Sequence, residues 1–306
     1  MLEALGRTAT FSEERDLAHH AYEESLALRQ AQGDEQGSYR VLSLSLATIA
    51  YQSQHEQEPG EAPVAMASAL HEVGLAIGAG QFARAESLLA RRRSTEEEAD
   101  LLDLVRAFNQ MHLGHYERAR AQTMACLARF RETGYRWGVE RCCCYLSFAA
   151  LATGAYGEAE RWLQESVVLC REIGQRGHLG QALALLAFAA RGSGHLPQAR
   201  QHLGEALRVA VDVQGYETFP FQMIVVSAMA LLLADEGQGE RAVELYAMAS
   251  RYPLVANSRL LADLAGRHMA AVAAQLPADA AAAAQARGRS RDLEAALADL
   301  VAELGE

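Results

Sequence analysis

The sequence predicts an all-α protein, a solenoid of stacked helical hairpins, and three observations carry that expectation. The first is a recurring pattern, Gly-x-(bulky)-x-x-Ala. It reads Gly80-Gln81-Phe82-Ala83-Arg84-Ala85, Gly114-His115-Tyr116-Glu117-Arg118-Ala119, Gly154-Ala155-Tyr156-Gly157-Glu158-Ala159 and Gly194-His195-Leu196-Pro197-Gln198-Ala199. A looser copy follows at Gly237-Gln238-Gly239-Glu240-Arg241-Ala242, and the glycines stand 34, 40, 40 and 43 residues apart. A recurrence of about 20 to 50 residues with one turn signal per period marks a solenoid of supersecondary units. The second observation is composition: the chain is 50% hydrophobic with only 6 prolines, which suits a helical core. The third is that strand-favouring residues never form regular alternating runs.

Taken in order, Thr10 and Glu13 sit at capping-box spacing and open a helix, with Leu17, Ala21, Leu26 and Leu28 on its apolar side and Gly33 as its breaker. A second helix is expected from about 35 to 52. The polar stretch from Gln52 to Pro63 is a loop that breaks the register. Pro63 restarts a helix at a first-turn position, running to Ala79. Phe82 to Arg93 is its short partner, and Ser94 with Glu97 forms the next capping box. Arg91-Arg92-Arg93 followed by Glu96-Glu97-Glu98 then reads as one helix end and the next helix start, each matched to the dipole it meets.

From there the rhythm predicts helices over 95–113, 116–132, 136–153, 156–173, 176–193, 196–213, 216–236 and 239–251. Gly114, Gly154, Gly194 and Gly237 end the first helices of the hairpins; Gly134, Gly174 and Gly215 end the second ones. Each motif alanine falls near the start of a second helix, where a small side chain lets paired helices approach. Pro253 stops the last clear repeat. One helix to Gln275, a break at Pro277 and an amphipathic helix over 290–304 complete the chain. The expected organisation is N-terminal helices over 1–62, starting mid-repeat, a repeat array over 63–253 and capping helices over 254–306 that hide the open end of the solenoid.

Charge and residue chemistry exclude several functions. The net charge is -11, and all 28 basic residues are arginine. An acidic balance argues against direct nucleic-acid contact, which needs positive potential to release counterions. Without lysine the chain has no phosphate-loop or Schiff-base amine. Cys126, Cys142, Cys143, Cys144 and Cys170 have no C-x-x-C spacing, and three consecutive helical cysteines point about 100° apart, so they read as buried small residues in a reducing cytoplasm. The first dozen residues carry Glu3, Arg7 and Thr10 and no apolar core, so no signal peptide is expected. The run from Met223 to Ala234 is far shorter than the roughly 20 residues that span a bilayer. Adjacent His19 and His20, and His195 with His202, lack the carboxylate company of a metal site. No cofactor, no metal and no catalytic residue is expected; the chain reads as a non-enzyme.

Ala21-Tyr22-Glu23-Glu24-Ser25-Leu26-Ala27-Leu28-Arg29 followed by Gly33-Asp34, with the Gly-x-Tyr-x-x-Ala turns, resembles tetratricopeptide repeats of a long-period bacterial type. That type is typical of the sensor arms of signal-transduction ATPases with numerous domains, including MalT-like transcriptional activators. The closing Arg291-Asp292-Leu293-Glu294-Ala295-Ala296-Leu297 is similar to the ends of such proteins. The resemblance implies a right-handed superhelix, with a protein, peptide or small-molecule ligand in its concave groove and an ATPase neighbour outside this chain. The family's short-repeat tryptophan is missing here, Gly239 replaces a bulky turn residue, and residues 52–63 are out of register.

The resemblance further implies that inward positions on each first helix lie at fixed offsets before the turn glycine. These give Phe108 and His112, then Arg141 and Phe148, then Gln181, Phe188 and Arg191. Phe108, Phe148 and Phe188 hold one offset in three successive repeats and would form a ladder, either facing the groove or packed between helices. Arg141 and Arg191 would pair with carboxylate or phosphate groups of a ligand. A second candidate is the rim where first helices start: Tyr135, Arg136 and Trp137, with Arg176 and His178 one period on.

Overall fold

A computed structural model describes residues 73, 74, 76–91, 96–212 and 219–304. The expected helices and boundary before residue 63, the capping box at Ser94 and the breaker Gly215 lie outside the described residues. The chain divides into two compact units, residues 1–98 with 215–217, and 99–214 with 218–306. In the first, helical residues 76–78 turn at Gly80 into α1 (Phe82–Ala90), which buries Phe82, Ala85 and Leu89.

The second unit is all helical among its described residues. Its array comprises α2 (Glu96–His112), α3 (Tyr116–Thr133), α4 (Arg136–Ala152), α5 (Tyr156–Glu172), α6 (Arg176–Gly192), α7 (Leu196–Asp212), α8 (Phe219–Asp235) and α9 (Gly239–Ser250). The bounds follow the repeat because its glycine stops each first helix. Gly154 has φ +77°, the left-handed region that costs a Cβ-bearing residue most, and Ala155 N–H then reaches back to the carbonyl of Ala150 at 2.8 Å. The motif alanines Ala119, Ala159, Ala199 and Ala242 are at most 1% exposed. A larger side chain at any of them would hold the paired helices apart.

Each helix packs on its sequence neighbours from α3 to α9, and successive first helices α4, α6 and α8 also touch. Exposed ion pairs run between repeats on the second-helix side: Arg120 to Glu158 at 2.9 Å, and Arg131 to Glu165 at 2.6 Å. At such exposure each is worth only about 0.2 to 1 kcal/mol, so burial, not charge, holds the stack.

After α9 the chain departs from the sequence expectation of a single helix. Pro253 starts the four-residue α10 (Pro253–Ala256). Ser258 caps α11 (Arg259–Leu261), a π turn covers Ala262–Gly266, and α12 (Arg267–Gln275) follows. This broken segment packs on α8 and α9, and its π turn reaches α4. α13 (Ala278–Ser290) lies along α9, with Gly288, which has no side chain, at the crossing: a Cβ there would stand 2.0 Å from the Glu244 carbonyl oxygen. The last helix, α14 (Leu293–Leu304), packs on α7.

Candidate functional site: a closed first-helix face

The positions that would line a groove are covered. Phe148 is 2% exposed and Phe188 6%; Met111, His112, Arg141, Cys144, Gln181 and Leu231 are buried with them. Phe108 is half-buried, stacked on Tyr145 of α4 at 5.1 Å between ring centroids and edge-on to His112 at 4.6 Å. The space bounded by Ala187, Phe188, Arg191, Leu203 and Leu231 is too tight for a water molecule.

Part of the cover is the chain's own segment 253–269, which buries Leu254, Val255, Leu260, Leu261, Ala265 and Met269. Its polar contacts span the array. Ser258 Oγ shares a hydrogen bond with His112 Nδ1 at 2.7 Å and accepts from Leu261 N–H at 3.1 Å. Tyr116 Oη donates to Asp263 at 2.7 Å, and Arg191 Nη2 lies 3.2 Å from His268 Nε2. Burial drives the His112 pKa from 6.5 down to about 3, so the ring is neutral. A serine beside a neutral histidine has the composition of a nucleophile and base, but here both are at most 4% exposed and the serine lone pair caps a helix. The carboxylate nearest in sequence, Asp263, is engaged by Tyr116, Arg259 and Arg267.

The two arginines offered to a ligand each have a carboxylate of their own. Arg191 grips Asp235 with two bonds, at 2.5 and 2.9 Å. Arg141 grips its sequence neighbour Glu140 at 2.6 and 2.7 Å, and donates to Gln181, 40 residues on, at 3.0 Å. Glu140 also accepts from Ser166 Oγ of α5 at 2.8 Å and stands 3.1 Å from His178 Nδ1 of α6. This buried network therefore ties α4, α5 and α6 together. Burial opposes ionisation of Glu140, but Arg141 and His178 outweigh it and hold the carboxyl well below its usual range. Burial, then Arg141, pushes His178 down, against the pull of Glu140.

The rim residues come together in part. Phe130, Tyr135, Trp137 and His178 form a run of ring contacts with centroids 5.4, 5.9 and 6.2 Å apart, ending on the Glu140 network. Tyr135, Trp137 and His178 are half-buried; Arg136 is exposed and pairs with Glu172, and Arg176 is exposed. Sequence reasoning missed Glu140, Ser166, Ser258 and Asp263. Glu140 had a signal: Glu140-Arg141 is the only charge pair between Val139 and Phe148, in a stretch otherwise apolar or small.

All five cysteines are free and buried, and burial pushes their thiols up, Cys126 to about 11 and Cys144 to about 12. Among the described residues no group of His, Cys, Asp or Glu could hold a metal ion, and no helix is long and apolar enough to cross a membrane. No family model matches the sequence, and no curated protein matches it. Among solved structures the chain is similar to the apo form of RapI, with a TM-score of 0.44 over 99% of this chain and 96% of that one, at 14% identity. A likeness this loose says nothing of what the chain binds.

Proposed function

We propose that the chain is a non-catalytic recognition module, a helical-repeat platform that engages a protein partner through the outer side of its hairpins. One observation carries this reading. The inward face is occupied by the chain's own residues, whereas the large apolar side chains left exposed among the described residues, Met124 and Val168, both stand on second helices. With the inward face filled, these are the positions at which a partner can still bury apolar area. The finer form of the proposal is the sensor or interaction arm of a cytoplasmic signalling ATPase or transcriptional regulator, supported by the sequence resemblance alone; a free-standing scaffold is the alternative.

The test is a photo-crosslinking residue placed at Val168, at Met124 and at a control site such as Glu236, in cells. The proposal expects a discrete adduct from the outer-face sites whose partner, once purified, re-forms the complex with the purified chain. A P-loop ATPase as that partner favours the finer form. No adduct from either site, or substrate turnover by the isolated chain, contradicts the proposal.

A further inference from the structure

The first helices stack through surfaces that are nearly uniform. α6 carries only alanine, leucine and phenylalanine from Ala182 to Ala190, and α8 is apolar from Met223 to Ala234 except for Ser227. Ser227 bonds the Met223 carbonyl of its own helix at 2.7 Å, and Ser147 of α4 likewise bonds the Cys144 carbonyl at 2.6 Å. Neither hydroxyl links one helix to the next. Apolar contact is non-directional, so such surfaces say little about which helix stacks on which, or at what height.

Glu140, Arg141, Ser166, His178 and Gln181 break that uniformity at one junction. Arg141 and Gln181 hold the same place before their turn glycines; the counterpart is Leu101 in α2 and Ile224 in α8. The place of Glu140 is taken by Gly180 in α6 and Met223 in α8, that of His178 by Phe221 in α8, and that of Ser166 by Ala206 in α7. This set of partners therefore occurs once along the array. Glu140 and Ser166 are 0% exposed, Arg141 6% and Gln181 8%, so bulk water does not replace a missing partner. With α8 stacked on α4 in place of α6, Arg141 would meet Ile224, and Phe221 would stand in the place of His178. With α6 slid by one turn, Leu185 or Gly177 would stand where Gln181 accepts from Arg141. Either error leaves a buried guanidinium N–H without an acceptor, while much of the apolar face meets alanine and leucine again.

We infer that this network is a conformational address: it selects α6 as the neighbour of α4 and fixes its height, a choice the apolar faces alone leave open. A buried ionic cluster adds little net stability over an apolar replacement of similar volume. Its loss is therefore read in the number of folded arrangements the chain adopts, and not only in the free energy of unfolding. The inference is independent of which face of the array meets a partner.

The test uses the full chain with Glu140→Gln and Arg141→Met together, which removes both charges and keeps most of the volume. Alanine-methyl NMR follows Ala149 and Ala150 on α4 and Ala182 and Ala184 on α6. The expected result is a second set of these resonances, away from random-coil positions and carrying about a tenth or more of the intensity. Dimers or larger species by light scattering, after refolding from urea under conditions where the wild type regains its starting mass, support the inference equally, because hairpins then pair between copies. If the double variant does not fold, Gln181→Leu, which leaves the Glu140–Arg141 pair intact, is expected to show the same second set. A single set at wild-type positions with wild-type mass, in whichever variant folds, overturns the inference and leaves the network as a satisfied buried cluster. Random-coil resonances alone in both variants overturn it too, because the network is then needed to fold at all and not to choose a neighbour.

Discussion

His112 should make this protein acid-labile in a defined window. Its ring is buried, neutral and hydrogen-bonded to Ser258, and burial lowers its pKa from 6.5 to about 3. As pH falls below 6.5 the unfolded chain takes up a proton at this residue and the folded chain does not, until about pH 3. Stability therefore rises with pH across the window and is lost as pH falls through it, at about 1.4 kcal/mol per pH unit for one such group. Between pH 6.5 and pH 5 that is about 2 kcal/mol from His112 alone, toward a total on the order of 4 to 5 kcal/mol. His178 is lowered in the same direction, so the wild-type slope exceeds that of one histidine. The comparison that isolates His112 is His112→Asn, whose amide oxygen can accept the Ser258 hydroxyl but does not titrate. Urea denaturation followed by helical circular dichroism, at pH 7 and in steps to about pH 5, gives both slopes. The variant is expected to lose about 2 kcal/mol less than wild type over the window. Equal slopes would mean that His112 is solvated or charged in the folded chain, and the closure of residues 253–269 over it would be misplaced.

Other outcomes follow from burial elsewhere. Glu140→Gln leaves the Arg141 guanidinium buried without its carboxylate and should cost about 3 to 5 kcal/mol, whereas Glu140→Gln with Arg141→Met should recover much of the loss in a double-mutant cycle. Phe148→Ala should cost about 3 to 5 kcal/mol by denaturant titration, because its ring is 2% exposed; a loss below about 1 kcal/mol would put that ring in an open groove. The five buried thiols should resist a colorimetric disulfide reagent in the native chain and react together on unfolding. Rapid reaction of one or two in the native chain would place them in an exposed environment instead.

The helical bounds were legible because local chemistry sets them. Gly134 and Gly154 adopt left-handed φ where the sequence expects breaks, and α3 through α7 begin and end within one residue of expectation. The tail was less legible. An apolar pattern from 257 to 275 reads as one helix, and nothing local distinguishes it from a helix interrupted by a π turn at Ala262–Gly266. The site was legible only as a set of positions. A concave binding face and a packed core both need apolar residues at the same helical spacing, so Phe148 and Phe188 fit either. What decides between them are contacts such as Ser258 to His112, 146 residues apart. Arg141 and Gln181 hold the same offset in successive repeats, but the contact between them was not read from the sequence, and the carboxylate that Arg141 grips is the adjacent residue. Neighbours on a helix point about 100° apart, and only the surrounding burial forces Glu140 and Arg141 to turn toward one another.

The closure of the first-helix face is tested most directly by native-state hydrogen exchange of the full chain, read peptide by peptide. Segment 258–275 shares its core with α4 and α6, so its amides should open with about the same free energy as theirs. Exchange of 258–275 within seconds, while α4 and α6 stay protected, would show an uncovered groove and return recognition to the phenylalanine ladder.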